Sequence, residues 1–137
     1  MLESNTSRWL LGTATLLVVV IGASFGYEAC SRRQKLENTV AQLTAGDPER
    51  GRELAQSKGC VGCHDIPGTR GPRGNVGPPL TRIATRVYIG GVLLNTPDHL
   101  RQWLLDPPKI DPQTAMPNVG LTDREARDLS AFLYTLR

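Results

Sequence analysis

Two cysteines and a histidine form a motif near the middle of the chain. Cys60 and Cys63 are three residues apart, and His64 follows directly. Residues i and i+3 lie on the same side of a helical turn, so both sulfurs can form thioethers with the two vinyl groups of one porphyrin edge. A neutral imidazole nitrogen of His64 can then ligate the iron. The C-x-x-C-H spacing therefore predicts one covalently attached haem c.

Paired cysteines at this spacing have two other common uses, a redox-active dithiol and half of a zinc site. A thioredoxin-like dithiol would need a βαβ context, and a zinc site would need a second Cys/His pair. The sequence provides neither, since its remaining cysteine and histidine are Cys30 and His99. Haem attachment is the interpretation that the sequence favours.

Length and composition restrict the classes of protein to which this chain can belong. Its 137 residues accommodate one domain of ordinary size plus an appendage. A net charge of +3, from 16 Lys and Arg against 13 Asp and Glu, is too mild to indicate nucleic-acid binding. Aromatic residues make up 5%, so the core needs another large apolar group, which a buried haem would supply.

An uncharged apolar segment runs from Trp9 to Tyr27 and has the length of a membrane-spanning helix. Its two end residues are aromatic, as is typical of the membrane interface. A cleaved signal peptide is the competing interpretation, with 22–24 as a possible cleavage site. Because the apolar run continues through Phe25, we favour a retained anchor over 9–28, preceded by a cytoplasmic tail over 1–8.

A charged segment, 29–45, follows the anchor. Leu36, Val40 and Leu43 recur at spacings of four and three, which predicts a helical stalk with one apolar stripe. Cys30 lies just past the span, and the residues before it suit a lipidation site poorly. We expect it to be a spectator thiol near the membrane surface.

Residues 46–137 carry the signals of short helices separated by loops. A helix over 48–58 should lead into the C-x-x-C-H motif. Glycine and proline predict an ordered loop over 65–79, a short helix is expected over 80–86, and a second loop covers 109–121. No strand-like alternation of useful length occurs, so we expect an all-α domain of three to five short helices. The helix starts are marked by N-caps before proline, at Asp47-Pro48 and Thr96-Pro97, and by a capping box, at Thr122-x-x-Glu125.

Short motifs follow one another in a characteristic order between residues 46 and 137. They are Gly51 in the first helix, Cys60 to His64, Gly77-Pro78-Pro79-Leu80, Arg86, Trp103 in a Trp-x-x-x-Pro helix end, Thr114-Ala115-Met116-Pro117, and Ala131-Phe132-Leu133. This order resembles that of class I cytochrome c domains and covers about two-thirds of the chain. The resemblance implies an all-α fold around one haem, with the first and last helices crossing at Gly51 and Phe132.

The resemblance also implies the ligands of the iron. His64 and Met116 would bind on opposite faces of the haem, with His99 a distant substitute for the methionine. From the residues alone, a loop methionine is more often core filler, and His99 is an exposed residue in a first helical turn. The family usually has a glycine two or three residues before the methionine, where this chain has Gln113.

Further site residues come from the same resemblance. The carbonyl of Pro78 would accept a hydrogen bond from the second ring nitrogen of His64. Arg86 would bind a haem propionate through its fork of donors. Tyr88 and Trp103 would line the haem pocket, positions that ordinary core aromatics also occupy.

A narrower resemblance covers 88–121. Gly91 to Pro97, Trp103, Asp106-Pro107 and Met116-Pro117 are similar to the cytochrome c domain fused to subunit II of caa3-type haem–copper oxidases. It implies a single-electron carrier, not itself an enzyme, that serves a terminal oxidase as its entry subunit or takes electrons from a quinol–cytochrome c reductase. The alternatives are the cytochrome subunit of a periplasmic dehydrogenase or nitric oxide reductase and, in a different class, a haem-based ligand sensor.

The location of the domain rests on two conflicting signals. Arg32, Arg33 and Lys35 follow the span while only Arg8 precedes it, and this bias would place the C-terminal side in the cytoplasm. In bacterial cytochromes c, haem is attached outside the cytoplasmic membrane. We therefore expect residues 31–137 on the periplasmic face of that membrane.

Overall fold

The computed structural model describes residues 3–72 and 74–137. Within that part the chain is mostly helical, with very little strand. The predicted interfacial role of Trp9 lies outside the described side chains. In chain order the elements are α1 (Glu3–Thr44), α2 (Pro48–Ser57), α3 (Cys60–Cys63), a 3₁₀ helix (Ile83–Thr85), β1 (Tyr88–Ile89), β2 (Leu93–Leu94), α4 (Pro97–Leu105), α5 (Pro107–Ile110) and α6 (Asp123–Thr135).

The chain divides into two units, residues 1–35 and residues 36–137. Within the described residues, the Gly12–Thr44 part of α1 has the length and apolar composition of a membrane-spanning helix, and its apolar window is fully exposed. The last two turns of α1 belong to the second unit, in which Val40 and Thr44 are buried. The hydroxyl of Thr44 donates to the Val40 carbonyl over 2.7 Å, so this helix end keeps its polar side chain satisfied.

Three helix starts agree with the sequence-based predictions. The carboxylate of Asp47 accepts from the backbone N–H groups of Glu49 and Arg50 at the start of α2. Thr96 caps α4 with Pro97 in the first turn. At α6, the N-cap threonine and the glutamate three residues later form the complete capping box.

Other elements differ from the predictions. The helix expected over 80–86 is reduced to the 3₁₀ turn Ile83–Thr85. The strands β1 and β2 form a small antiparallel hairpin that was not expected, with Tyr88 opposite Leu94. Pro107 follows the end of α4, as the sequence predicts, but it also begins α5, because proline is favoured in a first helical turn.

The helices α2 and α6 pack closely where Gly51 meets Phe132. A Cβ at Gly51 would lie 2.8 Å from the Phe132 Cβ and would overlap the backbone carbonyl of Asp128. The predicted crossing is therefore confirmed. Asp128 is buried at this contact, and its carboxylate accepts from the Asp47 N–H over 2.8 Å. This bond joins the start of α2 to the middle of α6.

The glycine- and proline-rich segment 65–79 has no helix or strand among its described residues. Its C-terminal end is nevertheless hydrogen-bonded back to the motif and to Asp65, the residue that follows the motif. The Gly77 N–H donates to the Cys63 carbonyl over 2.8 Å, and the Leu80 N–H donates to the Asp65 carbonyl over 2.8 Å. The expectation of an ordered loop beside the motif is consistent with these two bonds.

Candidate functional site

The cysteines lie on a single helical turn, α3, directly after α2. Gly59 links the two helices with a φ of 78°, a left-handed conformation that glycine adopts without strain. Cys60 and Cys63 are both partly buried free thiols. Burial raises the pKa of the Cys60 thiol above its ordinary value. Both cysteines lie on one helical turn, which is the arrangement that the predicted thioether attachment requires.

His64 caps α3 and leaves it in an extended conformation. Its Nδ1 lies 2.8 Å from the carbonyl oxygen of Pro78. A carbonyl can only accept a hydrogen bond, so Nδ1 carries the proton and Nε2 is left as the nitrogen with a free lone pair. The imidazole is thus held in the tautomer and orientation that a metal ligand needs.

A cavity of about 500 Å³ opens beside the motif. This volume is typical of cofactor sites, and the lining is mainly apolar. Isoleucine and leucine side chains of the 3₁₀ helix, β1, α4 and α6 form much of the wall. All the site residues that the sequence predicted line the same cavity: Cys60, Cys63, His64, Pro78, Arg86, Tyr88, Trp103 and Met116.

Met116 lies in the loop between α5 and α6 and is partly buried. Its backbone N–H donates to Thr114 Oγ1 over 3.2 Å. Upstream, the Asp111 carboxylate accepts from the Gln113 N–H over 3.0 Å, and the Asp111 carbonyl accepts from the Thr114 N–H over 3.1 Å. These bonds order the loop even though Gln113 stands where the resembling family usually has glycine.

Arg86 follows the 3₁₀ helix, and its guanidinium donates to the carbonyls of Pro79 and Thr81. These bonds stabilise the segment that begins at Pro78, the residue whose carbonyl orients His64. The backbone carbonyl of Arg86 accepts from the Asn95 amide over 2.9 Å. Sequence analysis did not identify Asn95, although asparagine between an apolar run and an N-cap is a common local hydrogen-bonding residue.

The two aromatic residues have different environments. Trp103 is buried, and its indole packs on Gly90, where a φ of +57° and the close approach of the ring both require glycine. Tyr88 is 55% exposed at the edge of the cavity. Trp103 thus forms part of the inner wall, and Tyr88 lies at the mouth.

Cys30 and His99 are the remaining candidates from the sequence. In the described part of the chain, neither lines the cavity. Cys30 is exposed on α1. His99, expected to be exposed, is partly buried, and its Nδ1 lies 2.9 Å from the Leu94 carbonyl, to which it can donate.

The residues present fit a haem. The cavity brings two thiols, one oriented imidazole and one thioether to a single apolar space. Imidazole and thioether are the axial donors used in electron-transfer haem sites. Within the described residues no group of three or more His, Cys, Asp or Glu side chains could hold a metal ion.

Comparisons with known proteins agree with this arrangement. The family model described as cytochrome c matches residues 48–137. Over 98 residues the chain is 31% identical to cytochrome c oxidase subunit 2 of Alkalihalophilus pseudofirmus. The matched region is 72% of this chain and 27% of that protein. The subunit 2 proteins of Bacillus sp. strain PS3 and Bacillus subtilis are 25% and 28% identical over 108 residues, which is 76% of this chain and 30% of each protein. The chain thus spans less than a third of the length of these relatives.

Proposed function

Because this chain belongs to the cytochrome c family, we propose that it is a membrane-anchored mono-haem electron carrier of a respiratory chain. Family membership and the C-x-x-C-H spacing together give covalent haem c, attached through Cys60 and Cys63. When bound, the haem supplies a one-electron iron couple. The protein contributes the attachment, the axial ligands and a largely apolar surrounding.

The observation that carries this proposal is that both expected axial donors line one cavity. Nε2 of His64 is the available nitrogen, because Nδ1 is bonded to the Pro78 carbonyl. Met116, in the loop between α5 and α6, lines the same cavity. His64 and Met116 together would leave no open position on a bound haem for a substrate, and a methionine ligand would favour the reduced state. The site is therefore suited to electron transfer rather than to catalysis at the iron.

We assign the other predicted residues supporting roles. Arg86 lies at the cavity with several donors and would hold a propionate. Trp103 fills the inner wall and excludes water. Tyr88 lies at the exposed mouth, the part of the site through which electrons would pass to a partner.

A terminal haem–copper oxidase is the partner we propose. The comparisons support it, because the similar proteins are named cytochrome c oxidase subunit 2. The carrier would act as an electron-entry subunit, or it would shuttle electrons from a quinol–cytochrome c reductase. An N-terminal anchor favours either arrangement, since confinement to the same membrane raises the effective concentration of the partner.

We place the domain on the periplasmic face of a bacterial cytoplasmic membrane. The proposal is supported by the chemistry of the motif, because thioether attachment in bacteria occurs outside that membrane. The apolar part of α1 would supply the span. A protease added to intact spheroplasts should remove the haem domain, whereas a cytoplasmic domain would be protected.

Purification from native membranes in mild detergent tests the assignment of the partner. Haem staining locates the chain, and a Cys60→Ser, Cys63→Ser variant controls for stain that does not depend on thioether bonds. Co-migration with haem–copper oxidase subunits would identify an entry subunit. A separate stained band that the quinol–cytochrome c reductase reduces and the oxidase oxidises would identify a free shuttle. Co-migration with a dehydrogenase or nitric oxide reductase would contradict the oxidase assignment.

A further inference from the structure

A lysine lines the haem cavity, and the sequence analysis gave it no role. Lys58 is the C-cap of α2, two residues before Cys60. Its Nζ lies 2.9 Å from Oε1 of Glu125 on α6, with the two side chains 27% and 25% exposed. Lys58 thus brings a positive charge close to the cavity, and its counter-charge comes from a different helix.

Glu125 is fixed independently of Lys58. Its Oε2 accepts from the backbone N–H of Thr122 over 2.8 Å and from the Thr122 hydroxyl over 3.0 Å. The same carboxylate therefore completes the α6 capping box with one oxygen and holds the ammonium of Lys58 with the other. The Thr122 N–H and Lys58 lower the pKa of Glu125 to about 2, so this carboxylate is ionised at neutral pH.

We infer that Lys58 and Glu125 together set the reduction potential of the site. The inference rests on the electron-transfer function proposed above. Loss of one electron to the acceptor protein leaves one additional positive charge inside the cavity. The Lys58 ammonium repels that charge and favours the reduced state, while the Glu125 carboxylate partly offsets the ammonium. Glu125 does not line the cavity in the described part of the chain, so Lys58 has the larger effect.

Single charge removals should shift the potential in opposite directions. Lys58→Gln leaves a lone carboxylate near the site and lowers the equilibrium constant for reduction. Glu125→Gln leaves a lone ammonium and raises it, while glutamine still serves in the capping box. Because water screens these partly exposed charges, we expect the equilibrium constant for reduction to change roughly two- to fivefold. This corresponds to about 18–41 mV in the reduction potential, at 59 mV per tenfold change for one electron.

The experiment is a spectroelectrochemical titration of the full-length protein, of Lys58→Arg and of five charge-removing variants. These are Lys58→Gln, Glu125→Gln, the double variant, and two controls at a second ion pair between α4 and α6, Arg101→Gln and Asp123→Asn. Lys58→Arg keeps the charge and should restore the wild-type potential. Circular dichroism checks that each variant is folded.

The expected pattern is a lower potential for Lys58→Gln, a higher one for Glu125→Gln, and a value between them for the double variant. Shifts of equal sign, or shifts no larger than those of the controls, would overturn the inference while leaving the carrier function intact. The absence of a reversible one-electron couple in the wild-type protein would instead contradict the proposed function, and the inference with it.

Discussion

The carbonyl oxygen of Pro78 lies 2.8 Å from Nδ1 of His64, and Gly77 lies directly against the imidazole ring. A Cβ at Gly77 would be 2.6 Å from Nδ1 and 2.9 Å from Nε2. The loop therefore both directs the ring by a hydrogen bond and approaches it too closely for any side chain. Ring orientation depends on the absence of a Cβ at this position.

Gly77→Ala should displace the His64 ring and weaken its bond to Pro78. We expect a loss of about 1–3 kcal/mol in the free energy of unfolding, as for other overpacked sites. Denaturant titrations and NMR of the axial histidine would measure both effects. Gly62→Ala is the matched control, because a Cβ there has no neighbour within 4 Å. Equal stability of the two variants would show that the ring tolerates the added methyl group.

Met116→Ala should remove one axial ligand and open a coordination position. Because methionine favours the reduced state, the reduction potential should fall. The reduced variant should also bind carbon monoxide stoichiometrically, whereas the wild-type protein should not bind it.

The control for Met116→Ala is Val119→Ala, which also enlarges the cavity but removes no donor atom. Absorption spectra of the reduced proteins, with and without carbon monoxide, separate the two effects. Spectra of Met116→Ala identical to those of the wild-type protein would exclude Met116 as a ligand.

Gly51→Ala should loosen the crossing of α2 and α6. The new Cβ would overlap the backbone of Asp128, which cannot move without disturbing α6. Alanine gains about 1 kcal/mol of helix propensity over glycine, yet we expect a net loss of about 1–3 kcal/mol from overpacking.

Urea unfolding would measure that loss. Glu53→Ala, at an exposed position of the same helix, should change stability by no more than about 0.5 kcal/mol. A stabilised Gly51→Ala protein would mean that the two helices can separate at no cost.

Stability should fall in acid partly through Glu125. Its pKa in the folded protein is about 2, compared with an ordinary value of 4.5, because the Thr122 N–H and Lys58 stabilise the carboxylate. A lowered pKa contributes stability that is complete above the unfolded value and is lost as the pH falls towards the folded value. The loss should therefore occur between pH values of about 4.5 and 2.

Comparing wild-type and Glu125→Gln proteins isolates this contribution. The difference between their free energies of unfolding should be constant from pH 7 to about 5 and should then shrink as the pH falls. Urea titrations across this range would measure it. A difference that stays constant down to pH 2.5 would show that folding does not lower the pKa of the Glu125 carboxyl group.

Local chemistry explains why much of the fold and site was predictable. Asp47, Thr96 and Thr122 are N-caps whose side chains bond to nearby backbone, so short stretches of sequence define those helix starts. The C-x-x-C-H spacing predicts Cys60, Cys63 and His64, whereas Met116 follows only from the resemblance carried by motif order. The structure places them around one cavity, and their individual roles stay predictions.

The features missed depend on contacts that a local pattern does not show. The two-residue strands of the hairpin are too short for alternation, and the turn between them depends on positive φ at Gly90 and Gly91. Local sequence around Lys58 indicates only the end of a helix. Its ion pair with Glu125 joins residues far apart in sequence, so no local pattern predicts it. Its role at the cavity wall became visible only in three dimensions.

The proposed function requires a closed site that carries one electron. The most direct measurement is an anaerobic redox titration of the full-length wild-type protein, followed by addition of carbon monoxide to the reduced form. A closed carrier site should give one reversible transition with a slope of one electron and a reduced spectrum that carbon monoxide does not change. Rapid binding of carbon monoxide to the reduced wild-type protein would contradict the proposed function and favour a ligand-binding sensor.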